Sequence, residues 1–571
     1  MTFRFLKHGR FWLGSLMLLF LLAALLFGWG WWRWQHLANP GAQDQRAWQV
    51  APAESAFFYL VPNVPKFYHR FYRYHSETLS SPTLVAAKKS AAHNPLLAPS
   101  PNQPIPPALF DLMNHFGKVA LFDFFTALLP PSSNNDQFRF LIGGQCLSPW
   151  LSEASFVQST QEVSRYTWNK ETRDGITTRT AEHDGQTIRL LTMGDWLLLS
   201  NDWPTLQQAV RAIRGESKQT LGMEQPFQQS RDFSLRQALI WIYANPSQIA
   251  DAAESMQTPS LATAVRAMTP GLQAASWGWH SQGPRGVGYD LVSFTLEAPI
   301  IQAAQQALLP IDASRFDATT STSLWAMTGS AHLDRLNAWP ILRSDRLKPL
   351  ASLMGKADPT NFFFQIQRDP DSGRRDLKWD FQPEPAESPD PPAWVTQAAT
   401  LEGAEQPFFE VRIDYRGIVN ALQEEVKKDW PKWQQALQAK GWPAPDSPPA
   451  LDVDRYFAQS RVTAGFEQGH LVLYNAMQLR ESGSTLLTAL VTLTAGLAPE
   501  AMAARMETAR RPFAELGGEN APQWANAMDI SLISGLFLSP IFTRAHGGNL
   551  AIDIIMLEVL ASGLDEPISK N

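Results

Sequence analysis

One cysteine in 571 residues, Cys146, excludes any disulfide within the chain, so its stability must come from packing. No cysteine closely follows the N-terminal apolar run, which excludes anchoring through a lipidated N-terminal Cys. Metal-site spacing is also missing: there is no His-Glu-x-x-His, no Cys pair, and the eleven histidines are scattered. His69 and His75 are close in sequence, but a six-residue separation sets them on different sides of a helix. The chain has no Gly-x-Ser-x-Gly elbow and no Ser-x-x-Lys dyad, and Ser352 and Lys356 have the wrong spacing for one. Neither Gly28-Trp29-Gly30 nor Gly517-Gly518 starts a phosphate cradle. No catalytic set, cofactor site or metal site is therefore expected from motifs, although a site can still assemble from distant positions.

Acidic residues are missing from the first 36 positions, and what is there instead is informative. Arg4, Lys7 and Arg10 precede an apolar run from Phe11 to Trp32. About twenty mostly apolar residues cross a bilayer core, whereas the apolar core of a cleavable leader has only about 7–15. Residues 11–32 are expected to be a transmembrane helix, with 1–10 cytoplasmic and 33–50 a linker. Trp29, Trp31, Trp32 and Trp34 suit the far interface, and the basic flank keeps the N-terminus inside. The expected location is a bacterial inner membrane, single-pass, with the bulk of the chain periplasmic. A shorter apolar stretch, Leu486 to Leu497, reads as a buried strand or core helix.

The remainder has 44% apolar and 18% charged residues over the whole chain, a balance that builds cores. Outside the first 36 residues, 44 basic and 54 acidic side chains give a formal −10, so a nucleic-acid partner is not expected. The length accommodates several domains, and two α+β regions are expected, 51–310 and 311–571. Proline clusters at Pro95 to Pro107, Pro383 to Pro392 and Pro443 to Pro449 mark linkers or surface loops.

Ile176 to Glu182 and Gln186 to Thr192 alternate around Asp184-Gly185, predicting a hairpin. A strand at Trp196 to Ser200 follows, and Asn201-Asp202 then opens a helix carrying Leu206, Ala209, Val210 and Ile213 on one face. Similar pairs are expected at Val462 to Phe466 with Leu471 to Asn475, and at Phe362 to Gln367 with Leu377 to Phe381. A further pattern, an apolar strand, a polar or Gly residue and an apolar residue four later, ends at Asn63, Asn245, Gly329, Asp414 and Asp529. It predicts helices capped just after strands, in repeated units of antiparallel sheet and helix, with chance recurrence as the alternative.

Two aromatic features are candidate surfaces. Tyr68, Arg70, Tyr72, Arg73 and Tyr74 would present cations beside rings, either to a partner protein or to lipid headgroups, unless the segment packs on its own sheet. Trp277 and Trp279 share one face of a strand, as a core layer or a platform for sugar or peptide. Cys146 is expected to be a small buried residue.

Behind the anchor and its tryptophans, Pro52-Ala53-Glu54-Ser55-Ala56-Phe57-Phe58 and Gly194-Asp195-Trp196-Leu197-Leu198-Leu199-Ser200 resemble the bacterial domain-of-unknown-function family 2138 over nearly the whole chain. The resemblance implies an accessory role beside alpha-2-macroglobulin-like envelope proteins and supplies no active-site residue. The leading expectation is a membrane-anchored α+β scaffold that binds an envelope protein partner. The alternative is an envelope hydrolase acting on peptide or glycan through a dispersed site.

Overall fold

The computed structural model describes residues 46–67, 108–131, 138–255 apart from 165, 184 and 237, 262–263, 266, 271–282, 287–332, 360–368, 375–381, 391–414, 427, 430–439 and 457–479. The fold is α+β, dominated by antiparallel sheet. The described residues fall into two compact units, one made of 46–65, 108–128 and those within 139–224, the other of 66–67, 129–131, 138 and those within 225–479. The expected membrane span at 11–32 lies outside the described residues, among which no helix is long and apolar enough to cross a membrane.

In the first unit the order is α1 (Ala47–Val50), β1 (Phe57–Asn63), α2 (Ala108–Phe116), β2 (Phe122–Leu129), β3 (Arg139–Gln145) and α3 (Pro149–Ser164). Then come β4 (Asn169–Arg173), β5 (Ile176–His183), β6 (Gln186–Met193), β7 (Trp196–Ser200) and α4 (Trp203–Ile213). The strands lie in the order β1-β2-β3-β7-β6-β5-β4. β2 reads Phe-Asp-Phe-Phe-Thr-Ala-Leu-Leu and is buried along almost its whole length, as an almost unbroken apolar strand must be when both faces are covered. The expected hairpin forms with Gly185 at φ +76°, where a side chain would be strained. α4 starts where Asp202 accepts a hydrogen bond from the Thr205 amide at 2.9 Å, and Leu206, Ala209 and Val210 are buried. Cys146 is buried, its thiol 3.5 Å from the Val119 carbonyl.

In the second unit α5 (Gln225–Ser230) runs into a π-turn at Arg231–Leu235, followed by β8 (Ile240–Ala244), α6 (Pro246–Ser255), β9 (Leu272–Gln282), β10 (Val287–Leu296) and α7 (Ala298–Ala307). The chain continues with β11 (Ser323–Ala331), β12 (Thr360–Arg368), β13 (Arg375–Phe381), α8 (Ala393–Ala399), β14 (Pro407–Asp414), α9 (Trp430–Ala439), β15 (Phe457–Glu467) and β16 (His470–Leu479). These strands lie in the order β13-β12-β11-β14-β15-β16-β10-β9-β8, each pair antiparallel. Both expected hairpins are present, β12 with β13 and β15 with β16.

One arrangement recurs. β1-β2-β3, β8-β9-β10, β11-β12-β13 and β14-β15-β16 each lie side by side in chain order, with a longer connection between the first and second strand. In three of the four a described helix occupies that connection: α2, α6 and α9. Asn245 caps α6 as expected, its side-chain oxygen accepting from the Ser247 and Gln248 amides at 3.1 and 3.3 Å. Gly329 departs from the pattern. It lies inside β11 and opens no helix, because Phe409 and Phe362 pair with it on either side and the Phe362 ring fills the space its missing side chain leaves. Asp414 ends β14, while Asp529 lies outside the described residues.

Candidate functional site

The sheet of the second unit inverts the usual rule that polar side chains face water. Along β10, Ser293 and Thr295 are buried while Val292 and Phe294 are half-buried; along β16, His470 is buried while Leu471 and Leu473 are half-buried. The strand registers extend this across the sheet. Ser276, Ser293 and Val472 align on one face, as do His280, Tyr289 and Ala476, whereas Trp277, Val292 and Leu473 align on the other.

The polar face is sealed by α5 and the π-turn, which bring their own hydroxyls to it. The Trp241 indole donates to Ser234 Oγ at 2.7 Å, Ser234 shares a 2.7 Å hydrogen bond with Ser276, and Ser276 shares another of 2.7 Å with Ser293. Ser234 also donates to the Ser230 carbonyl at 2.8 Å, and the Ser230 and Thr295 hydroxyls are 3.0 Å apart. Thr295 Oγ1 lies 3.4 Å from His470 Nδ1, and the His470 ring stacks on Phe233 with centroids 4.6 Å apart. At the neighbouring position His280 stacks on Tyr289 at 4.7 Å, nearly parallel. Burial holds the His280 imidazole down at about 4, opposed by the Ser234 carbonyl and assisted by the positive charge of Arg236. Burial also lowers His470. Both rings are therefore neutral at pH 7. Arg236, which ends the π-turn, has φ +20° and places its guanidinium over the Phe233 ring at 5.3 Å.

Further along the same face sits a buried ion cluster. Glu410 on β14 receives Arg412 Nε at 2.7 Å and Arg461 Nε and Nη2 at 3.1 and 3.0 Å. Arg461 also donates to the Ala399 and Leu401 carbonyls, capping the last turn of α8, and Arg412 lies 3.9 Å over the Phe316 ring. Desolvation lowers the Arg412 guanidinium, with Glu410 opposing it. Each charge is spent on clamping α8 to the sheet. In the first unit Asp123 is spent in the same way, holding Arg46 through two 2.7 Å hydrogen bonds and the Ala47 amide at 3.0 Å.

A different pair has the geometry of a nucleophile and its base. Ser159 Oγ on α3, half-buried, hydrogen-bonds His115 Nδ1 on α2 at 2.7 Å, and His115 itself is buried. Among the described residues no group of three His, Cys, Asp or Glu is placed to hold a metal.

The other side of the second unit's sheet is mostly apolar: Trp277, Val292, Phe294, Leu471, Leu473, Val462, Phe466, Phe409 and Met327 are half-buried, Val411, Ile413 and Ala464 are buried, and Asp290 is buried beside Asn475. Trp279, on the same face as Trp277, is buried and meets Phe67 edge to face at 6.4 Å. The two tryptophans are therefore unequal, one a core residue and one half-exposed. Tyr68, Arg70, Tyr72, Arg73 and Tyr74 lie outside the described residues. The hydroxyl chain and the Glu410 cluster carry no motif in the sequence. Their sequence signal is an alternation of small polar residues within strands, which by itself reads as an exposed face. No family model, curated protein or solved structure matches this chain.

Proposed function

We propose that this chain is a single-pass bacterial inner-membrane protein, anchored through residues 11–32, whose periplasmic region binds another envelope protein. The observation that carries this reading is the inverted sheet of the second unit. On its covered face, hydroxyls and an ion cluster are buried alongside the apolar Leu291, Val472 and Tyr474, while on the opposite face a run of apolar side chains from Trp277 to Phe409 is only half-buried. Half-buried apolar side chains over several adjacent strands are the material of an interface core. The resemblance to family 2138 implies an accessory role in the same envelope system as alpha-2-macroglobulin-like proteins.

The test is a photo-crosslinking residue placed at Val292, on the same face of the full-length protein in cells, with captured proteins identified by mass. A discrete envelope protein captured by the wild-type face, and lost when Phe294 and Leu473 are changed to Lys in a variant that keeps its circular dichroism, supports the reading. Crosslinks confined to this chain itself sink it. The hydrolase reading rests on Ser159 and His115. It requires a fluorophosphonate probe to label Ser159 and not Ser159→Ala.

A further inference from the structure

Three large apolar side chains stand out as exposed among the described residues, all on the first unit: Met223, and the adjacent pair Trp150 and Leu151. Trp150 and Leu151, side by side at the start of α3, are 68% and 52% exposed. The structure shows which end of the sheet they occupy. β1 ends where β2 begins, Asn63 facing Phe122, and the Leu121 amide donates to the Gln145 carbonyl at the end of β3. The Ser152 hydroxyl reaches the Val119 carbonyl at 3.4 Å, so α3 starts beside the turn that leads into β2. Arg46, the first described residue, is held by Asp123 at the start of β2. The chain therefore enters this unit at the same end of the sheet that carries Trp150 and Leu151.

Between the proposed span and Arg46 lie only 13 residues, 33 to 45, which reach at most about 45 Å when fully extended. Exposed Lys118 sits in that turn next to Val119. Of the acidic groups nearby, Glu153 is engaged by Arg179, and Asp195 is half-buried, its carbonyl bound to the Cys146 amide. The outward side of α3 continues with the uncharged Ala154, Ser155 and Gln158 before the exposed Glu162, which accepts from the Gln158 side-chain amide at 2.8 Å. An indole, a leucine and a lysine, with no unpaired acid on the helix turn beside them, fit the interface of a bilayer whose headgroups carry negative charge.

We infer that the first unit rests on the bilayer through Trp150 and Leu151, with Lys118 at the headgroups. This inference rests on the proposed anchor and adds a second, peripheral contact that fixes how the first unit meets the membrane.

The experiment uses the full chain in vesicles of phosphatidylethanolamine and phosphatidylglycerol. An environment-sensitive fluorophore is attached to Ala154→Cys, or, as the comparison, to Glu182→Cys beside the hairpin turn at the opposite end of the same sheet. Cys146 is buried and does not compete for label. The expected result is blue-shifted emission at 154, quenched by spin-labelled lipid, with the 182 label remaining in water. Replacing Trp150 by Asn and Leu151 by Ser should lower the docked-to-free ratio about tenfold or more. If the protein floats with the vesicles but the 154 label reports water, or is shielded without quenching by lipid, the inference is overturned and the anchor stands. If the protein fails to float, the anchor is overturned and this inference falls with it.

Discussion

At the residue scale, the second unit keeps titratable groups in their uncharged or paired forms by burying them. His280 titrates at about 4 when folded and near 6.5 when free, so between those values the unfolded chain binds more protons. Stability is then fully present above pH 6.5 and is lost as pH falls toward 4, by about 3 kcal/mol from this residue. His470 contributes with the same sign. Urea midpoints measured between pH 7 and pH 4 should fall with acidification, and His280→Gln should flatten part of that slope. Glu410 behaves differently, because removing it strands two guanidiniums. Glu410→Leu should cost about 3–5 kcal/mol in denaturant titrations, since Arg412 and Arg461 keep their desolvation without their counter-charge. A loss below about 1 kcal/mol would mean that the helix carbonyls and the Phe316 ring already satisfy the arginines.

At the scale of elements, local chemistry was legible wherever a turn or a cap is made by neighbouring residues. Gln468-Gly469 turns β15 into β16 with both residues at positive φ, and the alternation on either side sets the register. Asp202 caps α4 through the Thr205 amide and hydroxyl, and Asp202→Ala should lower stability by about 1 kcal/mol, read from the thermal midpoint. Gly329 shows where such reasoning fails. Polar-or-Gly after an apolar strand signals a helix start only if the chain leaves the sheet there, and partners on both sides keep β11 extended through that position. A sequence pattern holds no record of the strands that will flank it.

At the scale of the whole molecule, the proposed anchor makes the bilayer part of the architecture. Leu21→Arg places a charge near the centre of residues 11–32 and should cost about 2.5–3.5 kcal/mol of insertion. Carbonate extraction and flotation of membranes from expressing cells would show the variant shifting toward the soluble fraction. Unchanged membrane retention would mean that something other than this span holds the chain.

What the sequence determined by itself is what depends on near neighbours: the hairpins, the caps at Asp202 and Asn245, the α+β class and the absence of disulfides. What only the tertiary structure decided is which face of a strand is covered. Along β10 and β16 the sequence offers Val292, Phe294, Leu471 and Leu473 as core and Ser293, Thr295 and His470 as solvent-facing, whereas the fold leaves the first four half-buried and buries the last three beside Leu291 and Val472. The physical reason is that a buried hydroxyl is tolerated when another group closes its hydrogen bond. Ser230, on α5, reaches Thr295 from 65 residues away, and Ser234, on the π-turn, reaches from 42 residues away the Ser276 hydroxyl that bonds Ser293.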